Sequence, residues 1–197
     1  MPSRNVIKTY IVDNYYHVYN RGVAAQPIFQ DAQDKKHFLD IMSRYLDPTD
    51  DSIKSDGTLY KKFDQDIELL CYCLMGNHFH LLFYIRGDPL ALPTFMQSAL
   101  TAYSMYFNKR YKRIGTLFQG VFKASMILDD SYLLHITRYI HMNPRTYKTY
   151  HYSSLREYLG KRKTTWIYHQ RILSLFDSGT DYLAFLEDFE DYTTTLD

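Results

Sequence analysis

Hydrophobic residues recur along this chain in blocks whose period switches between two and about 3.6, and the switching predicts the order of the elements. Residues 15–20 are rich in aromatic and β-branched side chains and close on Arg21-Gly22, the pattern of a strand. Over residues 34–46, Phe38, Met42, Tyr45 and Leu46 fall at helical spacing. Residues 47–66 are polar, contain Pro48 and Gly57, and read as a long surface loop or an inserted hairpin. Two strands follow at 67–74 and 78–85, separated by the turn Met75-Gly76-Asn77. A helix over 92–111 places Phe95, Ala99, Tyr103 and Phe107 on one stripe. Gly115 ends its trailing loop, and 116–128 reads as a strand bent at Gly120. A last core helix opens at the N-capping pair Asp129-Asp130 and stops near Asn143, because Pro144 follows.

The order β-α-β-β-α-β-α predicts a ferredoxin-like α+β sandwich, one antiparallel sheet with helices packed on it. Past Pro144 the pattern breaks into short helices around 155–159, 171–176 and 182–192. The expected organisation is therefore a domain over residues 1–146 and a helical C-terminal extension with an acidic tail over 147–197.

Composition adds little until it is read by position. A chain of 197 residues, 46% hydrophobic, can bury one substantial core. No apolar run reaches the roughly eighteen residues of a membrane span, and residues 1–5 lack a leader's apolar stretch, so a cytoplasmic protein without a membrane segment is expected. Cys71 and Cys73 stand two apart in an apolar run, which suits a buried strand in a reducing compartment better than a disulfide or a zinc site. The net charge of +1 averages two unlike parts. Residues 177–197 carry seven carboxylates and no Lys or Arg, leaving 23 basic and 15 acidic side chains, a net +8, over residues 1–176. The tail reads as the solvated face of a helix rather than as a screen over a basic groove.

From Pro89 to Leu128 there is no carboxylate, while Lys109, Arg110, Lys112, Arg113 and Lys123 are all present, interleaved with Tyr103, Tyr106, Phe107, Tyr111, Phe118 and Phe122. Cations for phosphates and rings for bases suit single-stranded nucleic acid. A solvated helix end followed by a core strand fits the same residues.

Two local patterns carry chemistry. In Asn77-His78-Phe79-His80-Leu81-Leu82, strand alternation puts His78 and His80 on one face and Phe79 on the other. The imidazoles can share a metal ion, or be two half-exposed strand histidines. In Arg138-Tyr139-Ile140-His141-Met142-Asn143-Pro144, Tyr139 and Asn143 lie one helical turn apart, beside a stripe of Leu133, Ile136 and Ile140 expected to be buried. A phenol there stands at the core's edge next to an amide that can reach a metal. Taken alone, an amphipathic tyrosine with a capping asparagine before proline is the simpler reading.

Together the patterns resemble the single-tyrosine HUH endonucleases, and within them the REP-associated tyrosine transposases and their insertion-sequence relatives. The resemblance runs through Tyr16-His17-Val18-Tyr19-Asn20-Arg21-Gly22, Leu74-Met75-Gly76-Asn77-His78-Phe79-His80-Leu81-Leu82, Phe95-Met96-Gln97-Ser98, Tyr106-Phe107-Asn108, Gly115-Thr116-Leu117-Phe118-Gln119-Gly120-Val121-Phe122-Lys123 and Tyr139-Ile140-His141-Met142-Asn143-Pro144. Gly76 stands where the family usually has proline, Phe118 where it often has tryptophan, and Val121 where it often has arginine. Residues 47–66 and the acidic tail match no family motif.

The resemblance implies a metal-dependent enzyme that cuts and rejoins single-stranded DNA at hairpin-forming repeats. It implies that His78, His80 and Asn143 hold Mg2+ or Mn2+ against the scissile phosphate, Mn2+ suiting imidazole and oxygen ligands better. Tyr139 would attack phosphorus, giving a 5′-phosphotyrosine and a free 3′-hydroxyl, a step that a second 3′-hydroxyl can reverse. A phenol keeps its proton at neutral pH, so Tyr139 needs help from the metal or a base; His17 and His141 are within the right motifs but are read as structural. Arg21, Lys109, Arg110, Lys112, Arg113 and Lys123 are the expected DNA contacts, and a monomer is favoured over a dimer. The alternatives are a catalytically idle DNA-binding regulator of the same fold and a hydrolase in which the histidines activate water.

Overall fold

The structure is a computed structural model that describes residues 9–194, with side chains as far as Phe189. Residues 1–5, read above for a leader, and Asp197 of the acidic tail lie outside the described residues, as do the side chains of Glu190 and Asp191. The chain runs β1 (Asn14–Arg21), α1 (Ala32–Leu46), β2 (Ile67–Leu74), β3 (His78–Ile85), α2 (Ala91–Arg110), β4 (Lys123–Ile127), α3 (Asp130–Met142), α4 (Leu155–Tyr158), α5 (Gln170–Leu173) and α6 (Gly179–Thr194). The strands form one antiparallel sheet in the order β2-β3-β1-β4, the ferredoxin-like arrangement expected. Asp31 and Asp129 cap α1 and α3, each accepting from a backbone N–H three residues on.

Alternation along the strands sends two sets of side chains to opposite faces. On one face Tyr16, Val18, Leu69, Tyr72, Phe79, Leu81, Phe83 and Ile85 pack with Phe38, Ile41 and Met42 of α1 and the fully buried stripe Phe95, Ala99, Tyr103 and Phe107 of α2. On the other, Cys71, Cys73, Leu82 and Ile127 pack with Leu133, Ile136 and Ile140 of α3. The cysteines are free and buried, and burial pushes both thiols up.

Residues beyond Pro144 are built into this second face. Tyr147, Tyr158, Ile172, Tyr182 and Leu186 join the same apolar cluster as α3. The segment also covers the outer edge of β2: Leu74 donates to Tyr152 O (2.9 Å), Ser154 to Tyr72 O (3.0 Å) and Tyr168 to Leu69 O (2.9 Å). These bonds occupy backbone groups that an edge strand would otherwise leave open to another chain. In the acidic tail, Tyr182 and Leu186 of α6 are buried while Asp181 and Asp188 face solvent and Glu187 meets Lys148 at 2.8 Å.

One expectation needs correction. The strand expected over 116–128 forms only from Lys123 to Ile127. Gly115 and Gly120 adopt positive φ (96° and 75°), which turns the chain off the sheet, leaving a lone bridge between Gly22 and Phe118. Over 47–66 the loop alternative holds, with a single bridge, Ile53 to Leu59, and turns pinned by Asp47, Asp50 and Asp56, each accepting from a backbone N–H two residues on. No helix among the described residues is long and apolar enough to cross a membrane.

His141 ties α3 to the rest of this face. It is fully buried, with Nδ1 2.7 Å from the Tyr182 hydroxyl and Nε2 2.8 Å from Ser154 Oγ. Burial lowers its pKa to about 3. An unfolded histidine takes up a proton near pH 6.5, so between that pH and about 3 the unfolded chain holds the extra proton and stability falls as pH falls. At pH 5 the loss from this group is about 2 kcal/mol. Thermal melts should therefore show His141→Gln less stable at pH 7 but with a flatter decline to pH 5; parallel declines would contradict this role.

Candidate active site

The site lies on the second face of the sheet, at the end where β1 meets β3. His80 sits opposite Tyr19, and His78 opposite Arg21. His17, two residues earlier on β1, points to the same face, and its Nε2 lies 2.9 Å from His80 Nδ1. The two rings stack with centroids 5.1 Å apart. This contact decides which nitrogen His80 can offer. Nδ1 is spent on His17, so only Nε2 can serve a ligand, and Nε2 keeps its lone pair only if Nδ1–H is the donor. Burial lowers the pKa of His80 to about 3, with His17 and His78 adding to the effect, and burial lowers that of His17 to about 4. Both rings are neutral at pH 7, the form in which imidazole binds metals.

His78 is half-buried, and burial holds it below the usual imidazole range. Its Nδ1 is 2.7 Å from Asn77 Oδ1 and its Nε2 is 3.1 Å from Asn143 Oδ1. A neutral imidazole has one N–H for these two oxygens. With the shorter contact taking the proton, Nε2 and Asn143 Oδ1 face each other as two acceptors, an arrangement a cation resolves. Two ligands about 2.1 Å from one ion and at right angles to each other lie about 3 Å apart, which the observed contact matches. Among the described residues no three His, Cys, Asp or Glu side chains gather around one point. His78 Nε2, His80 Nε2 and Asn143 Oδ1 are the atoms that could hold a divalent ion, with positions left for phosphate oxygens or water.

Tyr139 comes from α3, one turn before Asn143, with its ring edge-on to His80 at a centroid distance of 5.1 Å. It is 44% exposed beside the buried Ile136 and Ile140. His78, His80 and Tyr139 line a cleft of about 780 Å³ with Tyr19, Asn20, Arg21, Asn77, Gln119 and Lys123. Lys123 also lies over the Tyr19 ring at 5.7 Å. The neighbours are held by backbone geometry. Asn20 Oδ1 accepts from Arg21 N (2.8 Å), Gln119 N donates to Arg21 O (2.8 Å), and Asn77 Nδ2 donates to Ala25 O (3.1 Å). Gly22 permits the turn after β1, since a Cβ there would meet Gln26 O at 2.0 Å.

Of the residues expected from sequence, His78, His80, Asn143 and Tyr139 are brought together, and Arg21 and Lys123 stand on the cleft wall. Lys109 is in the last turn of α2, Lys112 and Arg113 follow that helix, and none of the three lines this cleft. Arg110, also expected to contact DNA, is engaged within the chain. Its guanidinium pairs with Asp31 (2.6 Å) and with the fully buried Asp34, and it contacts the Tyr106 hydroxyl (3.1 Å), so its charge is already neutralised. Sequence reasoning missed His17 as the partner of His80, and Tyr19, Asn20, Asn77 and Gln119 as lining. All five fall inside the quoted motif runs, which was the available signal.

Residues 58–143 match the IS200-like transposase family. This IS200-like segment takes in β2, β3, α2, β4 and α3, and so carries His78, His80, Tyr139 and Asn143. It bears out the resemblance read from the motifs. Among solved structures, one described as a REP-associated tyrosine transposase bound to a REP hairpin aligns with a TM-score of 0.55 at 14% identity, covering 83% of this chain and 91% of that chain. The likeness shows that the two share a fold. No curated protein matches the chain.

The His17 contact yields a test that needs no DNA. Removing such a partner of a metal-binding histidine typically weakens binding about 10–100-fold. Calorimetric titration should show that loss of Mn2+ affinity for His17→Phe and partial recovery for His17→Asn. Equal affinity in all three proteins would show that His17 does not orient His80.

Proposed function

We propose that this protein is a transposase that cuts and rejoins single-stranded DNA at hairpin-forming repeats, with Tyr139 as nucleophile and Mg2+ or Mn2+ as cofactor. The observation that carries the reading is convergence: two neutral imidazoles from β3, and an amide and a phenol one turn apart on α3, meet in one cleft with Arg21 and Lys123. The family match and the hairpin-bound structural neighbour support a DNA substrate.

His78, His80 and Asn143 would hold the divalent ion, which supplies a Lewis acid to a non-bridging phosphate oxygen. Arg21 and Lys123 neutralise the flanking phosphates. Tyr139 gives its phenolic proton to solvent, its oxygen forms a bond to phosphorus, and the bond to the 3′-oxygen breaks. The departing oxygen takes a proton and leaves as a 3′-hydroxyl. The phosphodiester count is unchanged, so a 3′-hydroxyl can run the step backwards and join a new strand. The partly exposed phenol can follow a flexible single strand, whereas a paired duplex would hold its phosphate away from it.

Hairpins taken from inverted repeats flanking the gene, labelled and incubated with Mn2+, should give a protein–DNA adduct that survives denaturing electrophoresis. Tyr139→Phe should bind the same hairpin and give none, and His78→Ala/His80→Ala should lose the adduct as completely as chelator does. Cleavage without an adduct, undiminished in Tyr139→Phe, would indicate water activation; binding without cleavage in the unaltered protein would indicate a regulator.

A further inference from the structure

A second groove, of about 700 Å³, adjoins the cleft and is not used by the chemistry above. Its one wall is a stripe of α2: Gln97, Thr101, Ser104 and Asn108 fall four, three and four residues apart, facing away from the buried stripe that anchors the helix. The opposite wall is the segment that leaves the sheet at Gly115, presenting Leu117, Phe118, Val121 and Phe122. The two clefts meet at Asn20, which lines both, with Gln119 on one side and Gly120 on the other. Asn20 Nδ2 donates to Gly120 O at 3.3 Å and so fixes the junction.

The chemistry of these walls selects an occupant. The polar wall hydrogen-bonds but carries no charge, and the other is apolar, which suits a flat neutral heterocycle with polar edges rather than a phosphate. At the end of the stripe, Asn108 Nδ2 donates to Gly115 O (2.9 Å), which ties the two walls together there. Apart from Asn20, every residue of the groove falls between Pro93 and Phe122, inside the stretch that contains no carboxylate. Nothing there repels the phosphates to which a base is attached. The exposed Met105 and Val121 add apolar surface to the groove.

We propose that this groove is a nucleobase subsite, receiving an unpaired base of the strand whose phosphate occupies the neighbouring cleft. The inference rests on the single-strand reading above and adds where sequence preference arises: in contacts from α2, not from the metal centre. A base packed on such a surface contributes roughly tenfold or more to affinity.

The test compares (dT)12 with a twelve-residue abasic strand of equal charge by fluorescence anisotropy. The unaltered protein should prefer (dT)12. Thr101→Leu/Ser104→Leu fills the groove with good helix formers and should weaken (dT)12 binding roughly tenfold while leaving the abasic strand unchanged. Gln97→Ala, at an exposed position, should weaken (dT)12 alone to a smaller degree. An equal loss for both strands, or no loss for either, overturns the proposal, as does a dimer in the unaltered protein that the double variant converts to monomer, since a second copy would then be the occupant. Adduct formation is scored separately. A protein that forms no adduct yet loses its base preference in the double variant defeats the nuclease reading and keeps the groove. One that forms adducts with (dT)12 affinity untouched by the variants defeats the groove alone.

Discussion

The seating of α3 on the sheet governs the rest of the site. Leu133, Ile136 and Ile140 bury against Cys71, Leu82 and Ile127, and His141 fixes the helix's rotation through Tyr182 and Ser154. One residue of helix corresponds to about 100° of rotation, so a helix slipped by a single position would carry Tyr139 and Asn143 out of the cleft. A fully buried imidazole with both nitrogens engaged is unforgiving of such a slip, because an unmatched polar group there costs about 1–3 kcal/mol. The C-terminal segment supplies Ser154 and Tyr182, and in this way residues far from the cleft set the position of Tyr139.

β1 is the second support. It contributes Tyr19, Asn20 and Arg21 to the cleft and His17 to the back of His80. The cleft therefore combines a low-dielectric rear, where neutral histidines are oriented by one another, with a front that carries Arg21 and Lys123 and is open to a polyanion. Neutral ligands and mobile cations divide the work: the first can place a metal ion, the second can draw in a phosphate chain.

Much of this was legible in the sequence, because periodicity reports which face is buried. The bounds of β2 and β3 coincide with the apolar run and the His-x-His pattern, and Phe95, Ala99, Tyr103 and Phe107 of α2 all pack inward. The spacing of Tyr139 and Asn143 was enough to place them on one helix face. What remained hidden depends on contacts distant in sequence. The partner of His80 lies 63 residues earlier, and Arg110 is claimed by Asp31 and Asp34 from across the helix pair. The segment 116–122 has a strand's composition, yet two glycines at positive φ take it off the ladder to form the second groove. The extension's role in closing the β2 edge could not be read from its short, irregular helices.

The proposed function requires one divalent ion to bind between β3 and α3, within reach of Tyr139. Anomalous diffraction from crystals soaked in Mn2+ tests it most directly. A single strong peak should lie between the Nε2 atoms of His78 and His80 and Oδ1 of Asn143, about 2.1–2.2 Å from each. Full soaking with no peak there, or a peak held by other residues, would contradict it.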